Sequence, residues 1–253
     1  MKIDIITLFP EMCEAVLNES VIGRARKKGA VTFECHQLRD YAYDKHKRVD
    51  DTTYGGGMGM LMKAEPIALC YEAICERNGQ KPHFIYMSPK GKVLTQKRIR
   101  ELAMLKNIVI LCGHYEGVDQ RVLDEYVDEE ISVGDYVLTG GELPALVLAD
   151  SVSRMIPGVL SDDLCFEEES HFGGLLEYPQ YTKPYEWRGK TVPDVLMSGH
   201  HANIEKWRRE QSLFETLTKR PDMLERANLN DKDKKILAEI SQKIHYKDQK
   251  ASE

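Results

Sequence analysis

The stretch Asn107-Ile-Val-Ile-Leu-Cys-Gly-His-Tyr-Glu-Gly-Val-Asp119, followed by Glu130-Ile-Ser-Val-Gly-Asp-Tyr-Val-Leu-Thr-Gly-Gly-Glu-Leu-Pro144, decides the fold. Asn107–Cys112 is apolar without alternation, the signature of a strand buried on both faces. A glycine-bearing loop, Gly113–Gly117, and a short helix, Val118–Glu125, come next. A second strand, Glu130–Val133, then runs into the loop Gly134–Gly141 and the apolar helix Glu142–Ile156. Upstream the same rhythm predicts a strand over His83–Met87, a loop over Ser88–Leu94, and a helix over Thr95–Leu105 capped by Thr95. Strands alternating with helices imply an α/β fold with a parallel sheet, whose ligands sit beyond the carboxyl ends of the strands.

Working outward, Lys2–Leu8 reads as the first strand, with a charge pattern placed to be buried, and Pro10 opens a helix. Ser20 is the predicted cap of a second helix ending at Gly29, and Val31–Leu38 is a further strand. Polar Asp40–Asp51 leads to the glycine-rich Tyr54–Met60, then to a helix over Ala64–Asn78 that Gly79 stops. Pro157-Gly158 closes this region. The expected organisation is an α/β domain over 1–160, a linker over 161–174, and a small helical domain over 175–253. The last contains Ala202–Leu217 and Asp231–His245, and no strand is predicted there.

Of the 253 residues, 42% are hydrophobic and 30% charged, as in globular chains. Apolar runs fall far short of the ~20 residues that span a bilayer, and the first residues do not read as a signal peptide. The expectation is a soluble, cytoplasmic protein. Six cysteines (Cys13, Cys35, Cys70, Cys75, Cys112, Cys165) show no C-x-x-C pair and read as reduced, mostly buried thiols. With 35 basic against 41 acidic residues the net charge is −6, which disfavours non-specific coating of nucleic acid but permits a local basic groove.

Gly55, Gly56, Gly57 and Gly59 form one glycine cluster, and Gly134, Gly140 and Gly141 another. Neither is a phosphate loop or a dinucleotide fingerprint, so a dinucleotide-dependent oxidoreductase is disfavoured. Three glycine-bearing loops on one sheet edge favour a nucleotide-like ligand. His114, Glu116, Asp119 and Asp135 are a weak metal set, and no metal is predicted. Arg154 stands at a helix C-terminus, Glu167–Glu169 form an acidic run, and Arg24/Arg26/Lys27/Lys28, Lys45/Lys47/Arg48 and Lys206/Arg208/Arg209 are basic groups able to meet phosphates together. Trp187 and Trp207 are read as core or domain-contact residues ahead of base-stacking platforms.

Several long segments make a more specific statement. Asp50–Met60, Tyr86-Met-Ser-Pro-Lys-Gly91, Leu111–Asp119, Ile131–Pro144, Gly174-Leu-Leu-Glu-Tyr-Pro179 and Ser198-Gly-His200 resemble, in order and nearly end to end, the bacterial tRNA (guanine-N1)-methyltransferases. The resemblance implies the SPOUT class, with a deep trefoil knot in the α/β domain, S-adenosylmethionine as methyl donor, and the guanine 3′ of the anticodon (position 37) as acceptor. It also implies a homodimer with the active site shared between subunits, a partner in the tRNA anticodon stem-loop, and no membrane. By the same resemblance the donor is held by Tyr86, Met87, Ser88 and Pro89, by Gly113, Tyr115, Glu116 and Gly117, and by Ser132, Val133, Gly134, Asp135, Tyr136, Val137, Leu138, Gly140, Gly141 and Pro144. Gly113 and Gly141 are expected to let backbone approach the ligand. Arg154 matches the family's catalytic arginine, which also contacts substrate, and Asp50 is a substrate contact. Glu169 stands where the family has an aspartate base and is followed by Ser170 and by His171 in place of phenylalanine. Thr53, Met58 and Lys90 are further departures. A SPOUT enzyme with another RNA target, or a silent RNA-binding module on the same scaffold, are the alternative functions.

Overall fold

Strand β1 (Lys2–Thr7) pairs in parallel with β2 (Thr32–Gln37) on one side and β6 (Asn107–Cys112) on the other. Beyond β6 lie β5 (His83–Val93) and β7 (Glu129–Ser132), giving the order β2-β1-β6-β5-β7. In the computed structural model, which describes residues 1–161, 166 and 169–251, with side chains as far as 244, the chain divides into Met1–Asp163 and Leu164–Glu253. This sheet belongs to the first unit. Cys165, Glu167 and Glu168 lie outside the described residues.

The strands bury both faces because both alternating sets of their residues are largely apolar. Ile3, Ile5, Ile85, Met87, Ile108 and Ile110 pack on helices α1 (Pro10–Leu17), α2 (Ser20–Lys27), α4 (Gln96–Ala103) and α6 (Glu142–Ser153). Ile6, Phe84, Tyr86, Val109 and Leu111 pack on α3 (Ala64–Asn78) and α5 (Gln120–Tyr126). Tyr71 of α3 stacks on Phe84, ring centroids 4.2 Å apart. Asp4, fully buried on this second face, is met by His36 at 2.7 Å and Lys2 at 3.3 Å, the pairing a buried carboxylate requires. The expected parallel α/β architecture is therefore present, with Pro10 opening α1, Thr95 Oγ1 accepting from Arg98 N, and Gly79 (φ 65°) ending α3.

Four local expectations are corrected. Ser20 does not cap α2: Asn18 and Glu19 alone join α1 to α2, so Ser20 is used in the turn with φ 54° and no side-chain cap forms. The strand at His83 does not stop at Met87. Ser88–Gly91 swing out and the chain returns, so that Met87 and Lys92 both align with Ile131 of β7. A hairpin, β3 (Asp50–Thr52) with β4 (Met60–Met62), brackets the glycine-rich loop. In the second unit, a short hairpin of β8 (Glu186–Trp187) and β9 (Lys190–Thr191) exists where no strand was expected, because Arg188-Gly189 adopt the left-handed conformations (φ 52° and 77°) of a tight turn. It is followed by α7 (Asp194–Met197), α8 (His201–Lys219), α9 (Pro221–Leu224) and α10 (Asp231–Ala251). The five described cysteines are unpaired. Burial holds the Cys70 thiol up at about 12 and raises that of Cys112.

Three glycines are required by close passage of backbone, and a Cβ on Gly23 would fall 2.1 Å from Asn18 O. A Cβ on Gly91 would fall 2.5 Å from Glu130 C and Ile131 N, and one on Gly141 would fall 2.6 Å from Cys112 Cα and Gly113 N. Gly141 has ordinary helical angles (φ −85°, ψ −5°), so its requirement is steric and not conformational. Gly141→Ala should therefore destabilise the first unit by at least ~3 kcal/mol, the upper end of overpacking costs. Gly79→Ala, strained only through its φ and facing open space, should cost about 1–2 kcal/mol. Urea unfolding of both variants compares them directly.

A pH effect follows from Glu129. Its burial favours the neutral acid, but hydrogen bonds from His83 (2.7 Å) and Arg98 (2.6 and 3.1 Å) outweigh that and hold the carboxyl at about 2 against an ordinary 4.5. The stabilisation is fully present above pH 4.5 and is lost as pH falls toward 2. Glu129→Gln should thus flatten the acid limb of stability in unfolding measured at pH 5 and pH 3; an unchanged slope would show that Glu129 contributes nothing to it.

Candidate active site

The excursion within β5 and the loops that follow β6 and β7 converge on one cavity of about 320 Å³. Parallel strands make this convergence obligatory, since all three chains emerge on the same sheet edge. From the first loop, Tyr86, Met87, Ser88 and Pro89 line it, and from the second Gly113, Tyr115, Glu116 and Gly117. From the third come Ser132, Val133, Tyr136, Val137, Leu138, Gly140 and Gly141, with Pro144 from the first turn of α6. Gly134 and Asp135 are not among the lining residues: Asp135 is exposed, and Gly134 (φ 154°) lies under the Tyr136 ring.

Two glycines of the wall are fixed by their packing. A Cβ on Gly113 would stand 2.8 Å from the Tyr86 hydroxyl and 2.9 Å from its ring, and Gly141 abuts the Cys112–Gly113 backbone. Both serve the packing of loop on loop, which shapes the cavity, and both line it. Burial, aided by Glu130, holds the Tyr86 phenol up at about 12, so its hydroxyl stays protonated inside the cavity. Tyr115 adopts φ 58°, a conformation uncommon for an aromatic residue.

Two features of the wall escaped the sequence reading. Glu142, in the first turn of α6 and 2% exposed, accepts from Thr7 Oγ1 at 2.6 Å and meets His114 Nε2 at 2.6 Å. The three side chains tie the end of β1, the loop after β6 and the start of α6 together; a lone glutamate at the head of the apolar run Leu143–Ala149 was the available signal. Leu61 of β4 also lines the cavity, because Glu116 N donates to Met60 O (3.0 Å) and Met62 N to Gly117 O (2.9 Å).

Asp50 begins β3 opposite Met62, and its neighbour Asp51 lines a separate cavity with Lys63, Asp119 and Arg121. Asp119 caps α5 through Arg121 N (3.0 Å). Arg154 is half-buried at the C-cap of α6. Glu169 lies in the second unit, where it lines a cavity of about 200 Å³ with Tyr178, Glu205, Arg208 and Arg209. Its flanks are fixed by Ser170 Oγ, which accepts from Glu177 N (2.9 Å), and by His171 N, which donates to Leu175 O (2.9 Å). Several of the basic residues serve structure: Arg26 is bound to Glu14 (2.5 Å) and Arg209 to buried Asp233 (2.8 and 3.0 Å). Among the described residues one triad, Asp4, Glu34 and His36, has metal-ligand spacing; Lys2 and Arg77 pair with its carboxylates. Trp207 is half-buried against Tyr181, but Trp187 is 58% exposed and so is not a core residue.

Comparison with known proteins agrees with this geometry. A family model described as tRNA (Guanine-1)-methyltransferase TrmD matches residues 1–226. A tRNA (guanine-N(1)-)-methyltransferase of Ruminiclostridium cellulolyticum is 59% identical over 223 residues, 88% of this chain and 96% of the relative. Proteins of the same name from Alkaliphilus oremlandii (52%, covering 96% of this chain and all of the relative) and Clostridium perfringens (51%, covering 94% and 99%) are similar along nearly the whole length. The three-loop cavity thus stands on a chain that belongs to the TrmD family of tRNA (guanine-1)-methyltransferases.

Proposed function

We propose that the chain is a tRNA methyltransferase that takes a methyl group from S-adenosylmethionine and places it on N1 of the guanine just 3′ of the anticodon. The observation that carries the reading is the convergence of three strand-end loops on one cavity, in a chain of this family. The cavity fits the donor. Its volume lies within the roughly 300–1,000 Å³ of small-molecule sites, Ile131, Leu138 and Pro144 offer apolar surface for a purine, and Glu116 and Glu130 suit a cationic ligand. When bound, the cofactor supplies an electrophilic methyl on a sulfonium.

The chain's own residues must then deal with a proton. Guanine N1 is protonated at neutral pH, and its loss places negative charge on O6. A carboxylate can take the proton and a guanidinium can stabilise the charge; Glu169 and Arg154 are the groups proposed for these roles, with Asp50 as a further guanine contact. The knot is supported by the path of the chain, which leaves β7 at the sheet edge, passes beyond β5 and enters α6 hydrogen-bonded to Gly113. A homodimer is supported by an unpartnered apolar face in which Phe9, Met12 and Val16 of the α1 region are exposed, as are Leu143 and Val147 of the adjoining α6. On this reading the second unit binds tRNA, the two subunits share each site, and the enzyme works in the cytoplasm beside its substrate. No helix among the described residues is long and apolar enough to cross a membrane.

Three predictions test the proposal. Gly113→Ala, which must displace buried Tyr86, should weaken calorimetric binding of S-adenosylmethionine by about 10-fold or more while the protein stays folded; unchanged affinity would remove these loops from the donor site. Glu169→Gln should lower single-turnover methylation of a tRNA transcript by roughly 10²–10⁴-fold with donor affinity retained, and Glu169→Asp should keep substantial activity. Mixing Glu169→Gln with Arg154→Ala homodimers under subunit exchange should restore activity, and its absence after demonstrated exchange would argue against a shared site.

A further inference from the structure

Tyr181–Thr191 is exposed at every position and holds the hairpin of β8 and β9. Two strands of two residues each cannot stabilise themselves through a core, yet this hairpin presents Trp187 at 58% and Tyr185 at 45% exposure. The Arg188 guanidinium carbon lies 4.8 Å from the centre of the Trp187 ring. Lys183 and Lys190 stand at the two ends of the same segment, so that between Tyr181 and Thr191 three basic residues face a single acid, Glu186, in a chain whose net charge is −6. Tyr185 is fixed by its hydroxyl, which donates to Asp194 Oδ1 at 2.9 Å, and Val192 N donates to Tyr185 O at 3.0 Å. The hairpin is therefore held at its base and open at its tip.

From this we infer that the β8–β9 hairpin is an RNA-stacking platform, on which an unstacked base from a single-stranded loop of the tRNA lies against Trp187 while Arg188 and Lys190 meet its phosphates. An aromatic face flanked by cations matches a base with its backbone attached, since every base offers a π-face and every linkage a negative charge. A protein partner would instead have to bury Lys183, Arg188 and Lys190 with that ring. The inference rests on the tRNA reading above and adds to it a specific contact, remote in sequence from the residues proposed for chemistry.

Trp187 and Trp207 are the only tryptophans, so Trp207→Phe leaves Trp187 as the single emitter in the full-length protein. Titration with an unmodified tRNA transcript should quench Trp187 emission over the same concentrations at which filter retention reports complex. In the parent protein Trp187→Ala should weaken retention by about 10-fold and raise KM for tRNA more than it lowers kcat, whereas Trp187→Phe should stay within about threefold. Retention of tRNA with unmoved emission, or with affinity unchanged in Trp187→Ala, would overturn the platform and leave the tRNA reading standing. Failure of the parent protein to retain tRNA would overturn both. Quenching that follows protein concentration without RNA would identify a second copy as the occupant and refute the inference; if Trp207→Phe does not fold, the Trp187→Ala comparison decides alone.

Discussion

The close passage of Gly141 across the end of β6 is the constraint on which the rest of the first unit depends. Backbone there meets backbone: Gly141 N donates to Gly113 O at 2.8 Å, and no side chain fits between. That contact sets where α6 begins, and α6 in turn covers β1 and β6 with Ala145, Leu148, Ala149 and Val152. It also brings Glu142 over Thr7 and His114, so a buried carboxylate finds two partners as a direct result of the crossing. The cavity is what remains once these loops are pinned. Its walls are thus a product of strand order and steric exclusion.

Electrostatics divides along similar lines. In the first unit, charge near or inside the core is neutralised locally, as at Asp4 with His36 and Lys2, and at Glu129 with Arg98 and His83. In the second unit, Arg209 is committed to Asp233, which also accepts from Asn230 N at 3.0 Å. A cation bound to a buried carboxylate is a poor phosphate ligand, because releasing it would strand the acid without a partner. Counting arginines and lysines along the chain therefore overstates the charge available to RNA. What matters is which cations are not already spent on an internal acid, and those are a subset that only packing reveals.

Much of the architecture was legible in the residues. The unbroken apolar run Ile108–Cys112 announced a strand buried on both faces, and Pro10, Thr95 and Gly79 marked helix ends by local chemistry that tertiary structure did not override. The hairpins were not legible, because strands of two or three residues have no periodicity to read, and their turns rely on Arg188 and a glycine cluster instead of a familiar dipeptide. The excursion within β5 was hidden for another reason: returning to the same partner residue, Ile131, is a property of the neighbouring strand. Glu142 opens an apolar helix, and only its contacts with Thr7 and His114 show that it is buried. The lining residues of the cavity were largely named in advance because three of the motif segments are the three loops, whereas the reason for Gly113 and Gly141 lay in contacts between loops distant in sequence.

The two groups proposed for chemistry reflect this division between a rigid cavity and a separate unit. Arg154 is carried on α6, whose start is fixed by the Gly141 crossing, so its backbone position is tied to the cavity. Glu169 is held instead by its own neighbourhood, where Ser170 and His171 bind backbone of the 175–177 segment and Leu176 N reaches Thr216 Oγ1 of α8 at 2.9 Å. A glutamate here has one more methylene than an aspartate, and it can accept the same proton only if its longer arm is compensated by the backbone that carries it. The local anchoring of 169–177 to α8 supplies a place for such compensation, because that segment is held by contacts within the second unit. The position of the proposed base is thus set by contacts within the second unit, whereas the walls of the three-loop cavity are set within the first, where Gly113 and Gly141 leave no room for a Cβ.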